Sequence, residues 1–234
     1  MRYRAVFFDA GETILHPAPS FPELFANVLA GFGHEVDEAT IRDGLYAIPQ
    51  RFVEAAERRE LWTTSAERSH AFWTSVYHHF LVRVGLPTED GLQDALFVAF
   101  TDVGNYELFE DVRPVFDVLA GAGLKLGLIS NFESWLDDLL VHLDIREAFD
   151  VRVISGVEGV EKPDPAIFEL ALERACMSAD EALYVGDVPA FDVEPPLALG
   201  MGAVLIDRRE RHPAFVGPRV TDLRQLPVLL GLSA

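Results

Sequence analysis

The sequence predicts an α/β protein: a doubly wound, Rossmann-like parallel sheet core with an inserted helical cap domain. Three features carry that expectation: short apolar runs rich in β-branched and aromatic residues, helical periodicity between them, and one long helical interruption after the first run. AVFFDA (Ala5 to Ala10), LKLGLIS (Leu124 to Ser130), VRVIS (Val151 to Ser155), ALYVGD (Ala182 to Asp187) and AVLID (Ala203 to Asp207) read as buried parallel strands. VRPVFDVLAGAG after Asp111, ESWLDDLLVHL after Phe132 and PDPAIFELALERACM after Lys162 supply the intervening helices. Pro163 and Pro165 open the last of these, whose Ile167, Phe168, Leu170 and Leu172 recur near helical spacing. Gly121, Ala122 and Gly123 close the first. DVEPPLALGM gives a short helix with two prolines near its first turn, where proline is tolerated. The interruption holds FPELFANVLAGF, EATIRDGLYAI, ERSHAFWTSVYHHFLVRV and GLQDALFVAFTD, all of helical character. The chain therefore divides into a core of 1–16 and 108–234 and a cap of 17–107.

The 234 residues, 50% of them hydrophobic, suffice for one sizeable core with a smaller insertion. With 38 acidic residues against 19 basic ones, the net charge of −19 argues against nucleic acid and against an anionic membrane surface as partners. A bound phosphate then needs local help from a cation, from Lys or Arg, or from helix N-termini. No run approaches the roughly 18 apolar residues of a membrane helix. The apolar run in MRYRAVFFDAGETIL is too short and too soon acidic for a secretory signal. Cys176 is the only cysteine, which rules out an internal disulfide and fits a reducing compartment. A soluble cytoplasmic protein is expected, as a monomer or a homodimer.

In an open parallel sheet, ligands bind beyond the carboxyl ends of the strands. Four polar clusters lie at such ends: Asp9 after the first run, Ser130 and Asn131 after LGLI, Lys162 after EGVE, and Asp187 after LYVG. Any one of them alone reads as an ordinary cap or turn residue. Together they read as one site.

DAGET (Asp9 to Thr13), LISN (Leu128 to Asn131), EKPDPAIF (Glu161 to Phe168) and VGDVPAFD (Val185 to Asp192) resemble, in type and order, the four motifs of the haloacid dehalogenase-like (HAD) hydrolases. The helical insertion is similar in position to that family's type 1 cap. SNFESWLDDLLVHLDIREAFD followed by KPDP is similar to the branch containing haloacid dehalogenase-like hydrolase domain-containing protein 3. The resemblance implies an Mg²⁺-dependent phosphatase acting on a small phosphorylated molecule. It casts Asp9 as the nucleophile that forms an aspartyl-phosphate. Asp9, the main-chain carbonyl of Gly11 and Asp187 would hold Mg²⁺, with Asp192 acting behind them or through water. Ser130 and Lys162 would hold and neutralise the phosphoryl group, assisted by Asn131. Oxygen ligands suit a hard cation of this kind.

One position departs from the pattern. Two residues after the nucleophile the family's phosphatases carry a second Asp that protonates the leaving oxygen and later activates water; here that residue is Gly11. Three readings follow: a hydrolase of substrates with good leaving groups, a catalytically weakened metal- and ligand-binding protein, or a metal-free 2-haloacid dehalogenase. Asp187 speaks against the last, because extra negative charge beside a carboxylate nucleophile and a carboxylate substrate is repulsive without a cation. A phosphonate-cleaving relative also lacks the second Asp, but it uses a cap lysine, and this insertion contains none. Glu12 either reaches the leaving group through a shifted loop or faces solvent.

Other candidates read more plainly. His70, His78 and His79 are spaced as packed or surface histidines rather than as a metal pair. Trp62 and Trp73 read as cap core, or as entrance residues that select substrate. Cys176 reads as a small buried hydrophobe on its helix, and Arg208, Arg209 and Arg211 as a solvated loop or as a basic cluster that attracts an anionic group near the strand end.

Overall fold

The computed structural model describes residues 2–45, 48–58, 60–88 and 91–232. The chain forms two compact units, one from Met1–Leu15 with Leu108–Ala234 and one from His16–Glu107. In chain order, β1 (Ala5–Phe8) and β2 (Leu15–Pro17) precede α1 (Phe21–Gly31), α2 (Glu38–Leu45), α3 (Ile48–Glu57), α4 (Ala66–Arg83) and α5 (Leu92–Thr101). The chain continues through β3 (Tyr106–Leu108), α6 (Val112–Gly121), β4 (Lys125–Ser130), α7 (Leu136–His142), β5 (Val151–Ile154), α8 (Ser155–Glu158) and α9 (Pro165–Ala175). It ends with β6 (Ala182–Gly186), α10 (Glu194–Ala198), β7 (Gly202–Ile206), β8 (Arg219–Val220) and α11 (Leu226–Leu229).

The first unit is built on a six-stranded sheet in the order β5-β4-β1-β6-β7-β8, with every pairing parallel. From β1 the chain winds outward through β4 to β5, then returns to β6 and winds the other way. That reversal opens a crevice at the carboxyl ends of the strands around β1. All five apolar runs form strands within it. Phe7, Ile129 and Tyr184 on one sheet face pack with Ile167, Phe168, Ala171 and Leu172 of α9. Strand β8 was not expected, since two residues carry no readable period. A separate ribbon pairs β2 with β3, where the chain passes from one unit to the other and back.

Three local readings need correction. Asp164 caps α9 by accepting the Ala166 N–H at 2.9 Å, so the helix starts at Pro165; Pro163 stands before it, after a cis Lys162–Pro163 peptide. Cys176 is exposed rather than buried. The helix ends at Ala175, and Cys176 turns left-handed (φ 54°) off the face that buries Leu172 and Ala175. Arg208 is no solvated-loop residue. It bonds both carboxylate oxygens of the buried Asp111 at 2.8 and 2.9 Å and the Thr13 carbonyl at 2.8 and 3.1 Å, and it stacks 3.8 Å from the Phe109 ring centre.

The second unit packs its helices around aromatic side chains. Phe25 lies 4.5 to 5.7 Å from the rings of Phe80, Phe100 and Tyr77. Phe52, Trp62, Phe72 and Trp73 form a second group. Trp62 is buried within it and Trp73 half-buried. Ser20 and Ser65 cap α1 and α4. Tyr46 and Ala47, at the end of EATIRDGLYAI, lie outside the described residues. His70, His78 and His79 are exposed on α4, with His70 3.0 Å from Asp94. Among the described residues, no helix is long and apolar enough to cross a membrane.

Candidate active site

The crevice gathers side chains from four separate segments. Asp9 is the first residue beyond β1, and its N–H donates to the Val185 carbonyl at 2.9 Å, so the backbone fixes it beside β6. Ser130 ends β4 and donates from Oγ to Asp9 Oδ1 at 3.0 Å. Lys162 reaches the same oxygen, Nζ to Oδ1, at 2.8 Å. It is held there by Asn131, whose side chain accepts the Lys162 N–H at 2.6 Å and donates to the Lys162 carbonyl at 2.8 Å. Asn131 thus grips the backbone of Lys162.

Asp192 lies on a turn of π-helix, Pro189–Val193, just before α10. Its Oδ1 accepts from Lys162 Nζ at 2.6 Å and its Oδ2 from the Val188 N–H at 2.9 Å. Its carboxylate lies against Gly186, where an added Cβ would collide with it. Gly186→Ala is therefore expected to displace Asp192 from Lys162 and to destabilise the fold by about 1–3 kcal/mol, the range for overpacking a filled interior. Thermal melts would show this, and an unshifted melt would mean the carboxylate has room to move.

Asp187 completes the cluster. Asp9, Asp187 and Asp192 each offer a carboxylate oxygen, all within 4.8 Å of one another. Lys162 lies in direct contact with two of the three. Burial opposes its charge, but the carboxylates of Asp192 and Asp9 outweigh that and hold the ammonium protonated above its usual range. Asp187, though partly open to solvent, is pushed well above the usual carboxylate range by desolvation, then by Asp192, Asp9 and Glu12; Lys162 offsets only part. Desolvation also raises Asp192, against the pull of Lys162. A crowded set of oxygens with too little positive charge could hold a metal ion, and the absence of nitrogen or sulfur donors selects a hard one.

The raised Asp187 sets a sign for metal-free stability. Its folded pKa lies above the unfolded value of about 3.9, so the folded state binds the extra proton between the two. Without divalent metal, stability is expected to fall as pH rises from about 4 through that raised value, and Asp187→Asn should flatten the dependence. Melts in a chelator across that range would test it; a stability that climbs with pH, equally in both proteins, would contradict it.

Near the nucleophile, Gly11 is open: a Cβ there meets nothing within 4 Å. Glu12 follows with a left-handed backbone, φ 55°. It is committed to Arg209, Nε at 2.9 Å and Nη2 at 3.2 Å, and is not a free solvent-facing side chain. Tyr184, read in the sequence only as part of a strand, brings its hydroxyl within 3.0 Å of Lys162 Nζ. The available signal was a single polar-tipped aromatic in an otherwise apolar strand, two positions before the Gly that lets Asp192 in.

The family model for haloacid dehalogenase-like hydrolases matches residues 3–200. The chain belongs to the haloacid dehalogenase-like hydrolases. It is 28% identical to mouse (Mus musculus) haloacid dehalogenase-like hydrolase domain-containing protein 3, over 98% of this chain and 92% of that one. It is 31% identical to glyceraldehyde 3-phosphate phosphatase of Methanopyrus kandleri, over 88% and 84% of the two chains. In fold it is similar to the HAD-hydrolase YfnB from Bacillus subtilis bound to magnesium, with a TM-score of 0.77 at 17% identity, covering 99% of this chain and all of the other. In this haloacid dehalogenase-like hydrolase the crevice residues Asp9, Ser130, Lys162 and Asp187 stand on the segments that carry the family-like motifs.

Proposed function

We propose that this chain is an Mg²⁺-dependent phosphatase of a small phosphorylated metabolite, working through an aspartyl-phosphate on Asp9. The observation that carries the reading is the buried Asp9 carboxylate, bonded on Oδ1 by both Ser130 and Lys162 and within 4.8 Å of two further carboxylates. Kinship with a protein named as a phosphatase supports it.

Asp9, Asp187 and the Gly11 carbonyl would hold Mg²⁺, which supplies charge neutralisation at the phosphoryl oxygens. Asp9 attacks phosphorus through the oxygen that Ser130 and Lys162 leave free, and the leaving oxygen departs with the bonding pair. Water then cleaves the acyl phosphate. Ser130 orients the nucleophile, and Lys162 neutralises both it and Asp192. With no acid at position 11, departure of the leaving group goes without a contribution that is typically 10²- to 10⁴-fold. Acyl phosphates and activated esters need that help least, so they are the favoured substrate class. The inserted unit takes the part of a cap that chooses among them, in a cytoplasmic setting.

A second reading, a weakened metal-binding protein, draws on Gly11. Phosphate release from acetyl phosphate and p-nitrophenyl phosphate, with Mg²⁺ and with a chelator, separates the two. Mg²⁺-dependent release, with the phosphoryl label trapped on the peptide containing Asp9, is the expected result. Metal binding without release would favour the second reading, and metal-free chloride release from a 2-haloacid would overturn both.

A further inference from the structure

We propose that Tyr184 is a positioning residue: its hydroxyl supplies the third acceptor that locks the Lys162 ammonium between Asp9 and Asp192. The inference deepens the phosphatase reading and rests on it for its catalytic consequence. An ammonium carries three donors in a tetrahedral fan and no acceptor. Lys162 Nζ meets three acceptors: Asp192 Oδ1 at 2.6 Å, Asp9 Oδ1 at 2.8 Å and the Tyr184 hydroxyl at 3.0 Å. Two carboxylates alone would leave one buried donor unmatched, at the cost of an unsatisfied N–H.

The tyrosine is itself fixed. Its hydroxyl proton donates to the Ile129 carbonyl at 2.7 Å, which leaves the oxygen lone pair for Lys162. The ring is fully buried and packs edge-on against Phe168, 5.2 Å away at 82°. Ile129 immediately precedes Ser130, so one hydroxyl ties the cation to the stretch of β4 that carries the other group on Asp9. The acceptor is also neutral, whereas a third carboxylate would enlarge the negative excess. All three Lys162 N–H groups are thereby committed to the protein. The cation serves as a fixed charge at the nucleophile and does not follow the departing oxygen.

The chain has only two lysines, the exposed Lys125 and the buried Lys162, so lysine-selective ¹⁵N labelling of the full chain yields two ammonium signals. Lys162 is expected to exchange its protons with water at least roughly 100-fold more slowly than Lys125. In Tyr184→Phe its exchange should accelerate at least roughly tenfold, with kcat on acetyl phosphate reduced about tenfold or more and KM within about twofold. Wild-type Lys162 exchanging as fast as Lys125 would overturn the proposal, as would a folded variant with unchanged exchange or unchanged kcat. Should the variant fail to fold, a cross-peak between the Lys162 ammonium and Tyr184 hydroxyl protons in the wild type supports the lock, and its absence beside a resolved Lys162 signal refutes it. Slow Lys162 exchange in a wild-type protein that releases no phosphate counts against the phosphatase reading and leaves the lock standing.

Discussion

Replacing Gly11 with Asp is expected to raise turnover of an alkyl phosphomonoester by roughly 10²-fold, the lower end of what one general acid/base contributes. The site has room, because a Cβ at Gly11 meets no atom within 4 Å. Gly11 is also absent from the positive-φ glycines, so an L-residue fits its backbone without strain. The added carboxylate increases the negative excess of Asp9, Asp187 and Asp192, and dependence on Mg²⁺ should steepen accordingly. The gain should shrink as the leaving group improves, being largest for an alkyl ester and smallest for acetyl phosphate. Steady-state kinetics across such a series measure it. A folded, Mg²⁺-binding Gly11→Asp protein with no gain on the alkyl ester would mean that the missing acid is not what limits the site.

Lys162→Met should cost both stability and turnover. The ammonium is buried with its side chain 4% exposed, against Asp9 and Asp192 side chains that are 10% and 2% exposed. Removing one partner of a buried pair leaves uncompensated charge and typically costs about 3–5 kcal/mol. For a chain of this size that corresponds to a Tm lowered by roughly 6–20 °C. Adding Asp192→Asn should restore part of the loss, because it removes one of the two carboxylates left facing each other. Chelated melts of the single and double variants, with phosphate release alongside, decide the matter. A single-variant drop below about 1 kcal/mol would mean that Lys162 is not neutralising buried charge.

The parts of this site legible in the sequence were those bound to strand ends. Asp9, Ser130 and Asp187 each stand at the end of an apolar run that reads as a buried strand, and a doubly wound sheet brings such ends together. Lys162, read as lying at a strand end after EGVE, instead stands in the loop between α8 and α9, eight residues beyond β5, from which its ammonium reaches Asp9. What stayed hidden was carried by partners far apart in the chain. Asn131 shows no local sign that it will clamp a backbone 31 residues on. Arg208 sits among exposed arginines and acquires its place only through Asp111, 97 residues away. Tyr184 has the composition of core and the neighbours of a catalytic group. Cys176 failed for the opposite reason: its apolar character suggested burial, but a helix ending one residue earlier turned it outward.

Arg208 holds the Thr13 carbonyl and the Asp111 carboxylate with a single guanidinium, and β2 pairs with β3 between those points and the helices beyond. The long excursion is in effect a loop whose two ends are already sewn together at its root. Closing a loop costs little more as it lengthens, roughly 0.6 kcal/mol per doubling. On that term alone, lengthening or shortening the excursion beyond the seam costs the sheet unit little, and Asp9, four residues before Thr13, lies on the sheet side of it.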